Sequence, residues 1–353
     1  MSQFWSQRTH DLTPYVPGEQ PKDMEYIKLN TNENPYPPSD KVLAAIQAAS
    51  DEGLRRYSDP IGNDLKQAIA DYYNVDTSMV FFGNGSDEVL GHTFAALLKQ
   101  DAPLLFPDIC YSFYPVYCKL FGIESIQIPL NENFEIDIKD YEIENGGIIF
   151  PNPNAPTSIA LPLDDIETLV QKNPNSVIVV DEAYVDFGAE TAVPLTKKYP
   201  NVLVTQTFSK SRSLAGLRVG FAIGAPELIE GLERVKNSFH PYTLGKPALA
   251  GATASMLDVE TFEKNRDALI ETRDWSTQAL AELGFDVTPS STNFVLALPP
   301  EGHSAEEIYL ALKSKGVLVR YFKTPRIDKH LRISIGTDEE MQGLLNALKS
   351  IIT

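Results

Sequence analysis

The residues best placed to do chemistry lie in Thr207-Phe208-Ser209-Lys210-Ser211-Arg212-Ser213-Leu214-Ala215-Gly216-Leu217-Arg218, directly after the apolar run Val202-Leu203-Val204. The apolar run reads as a buried strand, and a lysine at its end is costly to place unless the amine has work to do. Ser209 precedes the lysine, and Arg218, behind Gly216-Leu217, is spaced as if two helical turns further on. Amine, hydroxyl and guanidinium together suit a small ligand that carries an aldehyde and a phosphate. Pyridoxal phosphate is such a ligand: Lys210 would hold it as a Schiff base, and Ser209 and Arg218 would grip its phosphate. The plain alternative is a surface lysine in a loop.

Three more segments end or follow apolar runs. Gly83-Asn84-Gly85-Ser86 follows Met79-Val80-Phe81-Phe82 and opens a helical stretch reaching about Leu98, with Ser86 or Asp87 as its expected cap. Its glycines let backbone approach a ligand, and a helix start offers free N–H groups to a phosphate; a simple turn would look the same. Phe150-Pro151-Asn152-Pro153-Asn154-Ala155-Pro156-Thr157 is a stiff, extended loop whose asparagine amides would suit a ring hydroxyl, or else a proline-rich turn. Asp181-Glu182-Ala183-Tyr184 ends the apolar strand Ser176 to Asp181. An aspartate there needs a cation, and a protonated pyridine nitrogen would serve; an ordinary helix-capping acid is the alternative. Tyr184, one helical turn on, would reach the ring oxygen.

Such groups need a frame that gathers strand ends. Runs at 79–82, 103–106, 125–128, 147–150, 176–181, 202–207 and 219–223 are strand-like, and most are continuously apolar over several residues rather than alternating, as in a sheet covered on both faces. Their alternation with helical stretches predicts an α/β fold with a mostly parallel sheet, whose ligands gather at the carboxyl ends of the strands. Helical spacing also marks 41–50 and 62–73. Residues 1–40 read as an extended N-terminal arm, 41–240 as the large domain and 241–353 as a smaller α+β domain. In the last, a long helical region at 248–283 precedes strands near 293–298, 317–320 and 330–334 and a final helix from about Glu339.

Bulk properties narrow the partners. The chain has 353 residues, is 43% hydrophobic and 22% charged, and carries a formal net charge of −18. That balance argues against nucleic acid or an anionic membrane as a partner, while leaving room for one local basic pocket. The first ten residues have no apolar core of signal-peptide length, and no run approaches the ~20 apolar residues of a membrane span, so a cytoplasmic protein is expected. Cys110 and Cys118 form no disulfide framework, and His10, His92, His240, His303 and His330 lack ligand spacing, so no metal is expected.

Asn-Pro-x-x-Pro-Thr, Asp-Glu-Ala-Tyr and Ser-Lys-x(5)-Gly-Leu-Arg, in that order, resemble the fold-type I pyridoxal phosphate aminotransferases over nearly the whole chain. Within them the chain is most similar to the histidinol-phosphate aminotransferase family, through Leu29 to Tyr36, Arg56-Tyr57, Tyr111 to Tyr114, Pro241 to Leu244 and Leu331 to Thr337. The resemblance implies transfer of an amino group between histidinol phosphate and 2-oxoglutarate, giving glutamate. It implies that Lys210 is the Schiff-base lysine and proton carrier, Asp181 the partner of the ring nitrogen, and Tyr184 the partner of the ring oxygen. Tyr111 would stack on the ring, while Gly85, Ser86, Ser209 and Arg218 would hold the phosphate. Tyr57 would reach the neighbouring subunit's cofactor in a homodimer. Arg332 is the implied anion receptor for substrate, with Arg320 and Tyr15 as further candidates. Two departures stand out. The family asparagine before Pro-Thr is Ala155 here, so Asn154 is expected to reach the ring oxygen instead, or Tyr184 to bond it alone. The family's Tyr-Pro is Tyr57-Ser58. An aromatic amino acid aminotransferase, or a decarboxylase of a phosphorylated amino acid, would share the fold and most of these motifs. A regulatory cofactor-binding module is disfavoured, because no basic helix–turn–helix segment is present.

Overall fold

The structure is a computed structural model that describes residues 2–15, 18–21 and 23–352. Its first strand, Ile27–Lys28 (β1), lies within the arm. The large sheet is built from Val80–Gly83 (β2), Leu104–Pro107 (β3), Ser125–Ile128 (β4), Gly147–Pro151 (β5), Ile178–Asp181 (β6), Val202–Thr207 (β7) and Gly220–Gly224 (β8). Its order is β2-β8-β7-β6-β5-β3-β4. All neighbours are parallel except β8, which is antiparallel to β2 and to β7. Each expected strand of this sheet is present within a residue or two.

Successive residues of these strands feed two separate cores, as side-chain alternation requires. Phe82, Ile148, Phe150, Val180 and Val204 face one side with the helices Asn63–Tyr73 and Leu163–Lys172. Phe81, Phe106, Ile149, Val179 and Leu203 face the other with the helices Gly85–Ala96 and Pro226–Phe239. Apolar residues at every position of a strand are the consequence of cover on both faces.

The connection from β7 to β8 carries Lys210 and differs from expectation. Between them lie turns and one 3-10 turn, Ala215–Leu217, rather than two helical turns. Because β8 runs antiparallel, no crossover helix is needed. The chain doubles back and returns Arg218 to the side of Ser209.

The second unit holds a four-stranded antiparallel sheet of Asp286–Val287 (β9), Phe294–Leu298 (β10), Arg320–Tyr321 (β12) and Leu331–Ser334 (β13), in the order β12-β13-β10-β9. The expected strand 317–320 is two short strands. Val317–Leu318 (β11) pairs in parallel with β1, and β12 pairs with β13. The expected helix 248–283 is likewise two, Lys246–Leu257 and Val259–Glu282, broken at Asp258. Leu244, Ala252 and Met256 pack into the large sheet's core, while Leu29 packs with Leu331, Ile333 and Leu344 in the small one. We therefore propose that the units divide near Asp258, with residues 27–29 counted with the small one, in place of boundaries at 41 and 241. The arm also contains a short helix, Gln7–Asp11, that no helical period announced. No helix among the described residues is long and apolar enough to cross a membrane.

Candidate active site

The carboxyl ends of the parallel strands open on one cavity of about 820 Å³, shared with the small unit. Asp181, Tyr184, Ser209 and Lys210 line it, as do Ser86, Tyr111 and Arg218. The small unit contributes Arg320 and Arg332, and the arm contributes Tyr15.

One end is a cup. The helix after β2 starts at Gly85, earlier than expected, with Asn84 as a cap that makes no side-chain bond to it. Ser86 and Asp87 therefore lie in the first turn instead of capping it, and the first-turn N–H groups are available to an anion. Gly85 has φ +79°, and a Cβ there would lie 2.4 Å from Arg218 Nη2. A Cβ on Gly220 would lie 2.4 Å from the Ser86 nitrogen. Glycines thus let the helix start, β8 and the guanidinium close on one another. Arg218 donates through Nη1 to Ser209 Oγ at 3.4 Å and through Nη2 to Asp87 Oδ2 at 2.8 Å. Tyr111 donates to Asp87 Oδ1 at 2.9 Å. Asp87 therefore ties Arg218 to the Tyr111 ring, a link not expected from the sequence because the residue looked like a helix cap.

The middle holds the acid and the amine. Asp181 ends β6, is 4% exposed, and accepts from Tyr114 Oη at 2.8 Å and Thr205 Oγ1 at 3.4 Å. These partners are neutral, and burial pushes its carboxyl up to about 6. A turn follows it, not an α-helix, so Asp181 is no helix cap and Tyr184 arrives by a turn. Glu182 points away into a cage of Ala192 N, Thr191 Oγ1 and Gln206 Nε2, where burial pushes it up to about 8. Lys210 Nζ donates to the Thr31 carbonyl at 3.2 Å and lies 5.8 Å from the Tyr184 ring centre.

Two arginines of the small unit line the same cavity. Arg320 and Arg332 are directly opposed across β12 and β13. Both guanidiniums lie 5.4 Å from the Phe322 ring centre. Like charges in opposed positions destabilise a sheet unless something negative joins them. Burial, together with the charge of Arg320, lowers Arg332 to about 10, and its buried Nε has no hydrogen-bond partner among the described residues. Its Nη2 donates to the Asn30 carbonyl at 2.9 Å. Tyr15 stands at the rim, 37% exposed, with its ring 5.0 Å from Phe113.

Three predicted residues are not in this cavity's lining: Gly85, which lies behind Ser86 against Arg218, Asn154 and Tyr57. Asn154 is 3% exposed and spends both amide protons on Ile109 O and Thr157 Oγ1, each at 2.9 Å. It braces the loop and has no proton left for a ring oxygen, which corrects the expectation placed on it; Ala155 lines the cavity instead. Tyr57 is 79% exposed, stacked on Tyr242 at 4.4 Å.

The residues present fit pyridoxal phosphate. A glycine-built cup with Arg218 matches a phosphate, a buried acid with neutral partners matches a ring cation, and the Lys210 amine lines the same cavity.

Comparison with known proteins agrees. The class I and II aminotransferase family model matches residues 24–348. The chain is 59% identical to histidinol-phosphate aminotransferase 1 of Hydrogenovibrio crunogenus, covering 100% of this chain and 99% of that protein. It is 57% identical to histidinol-phosphate aminotransferase 1 of Pseudomonas aeruginosa, covering 99% of each. The crystal structure of histidinol-phosphate aminotransferase from Sinorhizobium meliloti in complex with pyridoxal-5'-phosphate superposes with a TM-score of 0.88 at 23% identity, covering 100% of this chain and 98% of that one, a likeness of fold. With family model, full-length relatives and fold in agreement, the chain belongs to the class I and II aminotransferases, among relatives that are histidinol-phosphate aminotransferases.

Proposed function

We propose that this chain is a pyridoxal phosphate-dependent histidinol-phosphate aminotransferase, exchanging an amino group between L-histidinol phosphate and 2-oxoglutarate. The observation that carries the substrate reading is the pair Arg320 and Arg332, opposed in register and lining the same cavity as Lys210. An amine substrate that also carries an anion suits a cavity that holds both.

Bound pyridoxal phosphate supplies an aldehyde that condenses with amines and a protonated ring that accepts the electron pair left when a C–H bond breaks. The chain's own groups do the rest. Gly85 and Ser86 N–H groups, Ser209 and Arg218 hold the phosphate, and Tyr111 covers a ring face. Asp181 keeps the ring nitrogen protonated, and Tyr184 donates to the ring oxygen. With the cofactor bound, Lys210 Nζ would anchor it, would give way to the substrate amine, and would carry the proton taken from the substrate's amine-bearing carbon. Tyr57, turned out of its own cavity, reaches the phosphate site of a second copy, which makes the homodimer the active unit. The setting is the cytoplasm, in histidine biosynthesis.

Spectral titration tests the substrate. The bound cofactor's visible band is expected to convert to the amine form at low L-histidinol phosphate, and only at much higher phenylalanine or tyrosine. Preferential conversion by the aromatic amino acids would overturn the substrate and leave the fold and Lys210 standing.

Arg332 serves both half-reactions, taking the phosphate of one substrate and a carboxylate of the other, since a guanidinium fork fits both. Arg332→Lys keeps a charge but loses the fork. We expect KM for both substrates to rise about tenfold or more in steady-state assays. Unchanged KM values would refute a shared receptor.

A further inference from the structure

With Ala155 in place of an asparagine and Asn154 committed to its own loop, the ring oxygen depends on Tyr184. Tyr184 itself has a partner from the arm: Asn32 Nδ2 donates to its Oη at 3.0 Å. Asn32 is 1% exposed and lines the cavity. Its backbone has φ +56°, a left-handed conformation that asparagine and glycine tolerate. The side chain is locked. Ser334 Oγ accepts the Asn32 backbone N–H at 2.9 Å and sends its own proton to Asn32 Oδ1 at 2.8 Å. The Asn32 carbonyl accepts from Asn293 Nδ2 at 2.9 Å. Because Ser334 claims the amide oxygen, the amide nitrogen faces Tyr184.

The consequence is directional. A phenol oxygen that already accepts a hydrogen bond keeps one proton of its own to give. We infer that Asn32 is a positioning residue that fixes Tyr184 as a donor to the cofactor's ring oxygen, with Ser334 orienting the amide. This rests on the pyridoxal phosphate reading of the cavity. Donation to the ring oxygen stabilises its anionic form. It therefore lowers the pH at which the lysine-bound cofactor loses its proton and its visible band changes. The charged groups facing Tyr184 are Lys210, 5.8 Å from its ring, and Arg332, which responds to it electrostatically; both stay in place in the test.

The test is a pH titration of the visible band in the full-length protein loaded with pyridoxal phosphate. Asn32→Gly keeps the left-handed backbone and removes the amide; Asn32→Asp keeps the shape but accepts where the amide donates, drawing Tyr184's proton away from the cofactor. The midpoint is expected to rise by about half a pH unit or more in Asn32→Gly, and further in Asn32→Asp. In a Tyr184→Phe background, Asn32→Gly should add nothing, because the coupling runs through the hydroxyl. Ser334→Ala supplies a third variant that leaves residue 32 in place, and its midpoint should also rise. Unmoved midpoints in these variants, or an Asn32→Gly shift undiminished in Tyr184→Phe, would overturn the inference. A wild-type protein with no visible band after loading would instead remove the cofactor reading beneath it.

Discussion

Lys210→Ala is expected to lose at least about 10⁴-fold in kcat, together with the visible absorbance of the lysine-bound cofactor. In the proposed mechanism Lys210 supplies both the covalent anchor and the mobile proton, and the neighbours of its amine carry no amine to replace it. Thr31 offers Nζ a backbone carbonyl, and Tyr184 offers a ring face. The phosphate cup of Gly85, Ser209 and Arg218 is built without Lys210, so the variant should still take up pyridoxal phosphate, with the spectrum of the free aldehyde. Single-turnover assays and absorption spectra separate these effects. A variant that keeps both turnover and the wild-type spectrum would place the chemistry on another amine.

Asp181→Asn is expected to lower kcat by about 10³-fold, since the neutral amide no longer holds the ring proton electrostatically. Cofactor affinity should fall less, because the cup is intact. The same substitution has an opposite effect on the protein without cofactor. The sign follows from burial. The folded-state carboxyl is raised to about 6, above the ordinary 3.8, so the folded state favours the protonated acid. The aspartate costs no folding stability below the unfolded value. The penalty grows as pH rises from there through 6, reaching on the order of 3 kcal/mol. The neutral amide of the variant carries no such penalty. Thermal unfolding of cofactor-free protein should therefore show the variant gaining on the wild type at pH 8 but hardly at pH 4. A variant that is less stable than the wild type by the same margin at both pH values would show that Asp181 holds the fold, not a charge awaiting a cation. Near-normal kcat would show that another group protonates the ring.

These two residues were legible in the sequence because they end continuous apolar runs. An ionisable group at the end of a strand buried on both faces is costly, and that cost is visible in one dimension. The same reasoning located the large sheet's strands, whereas the grouping of Gly85 and Ser86 with Ser209 and Arg218 was implied by the family resemblance. That reasoning failed where a local pattern fits two structures. Asp181 and Lys210 were each followed by spacing that suits a helix, and each is followed by turns. Residues 248–283 kept helical spacing through a break at Asp258. Asn154 was chosen for its amide, but its protons are used inside its own loop.

The chain by itself determined the two-sided sheet, the strand ends that open on the cavity, and the amine, acid and guanidinium placed there. Apolar patterning and costly charges are local properties of the residues. Only the tertiary structure decided which polar groups meet. Tyr114 donates to Asp181 from 67 residues away, Asn32 to Tyr184 from 152, and Ser334 to Asn32 from 302. The register of β12 with β13 set Arg320 opposite Arg332. A hydrogen bond needs its partners at about 3 Å in a set direction, and a sequence reports separation along the chain, not across it.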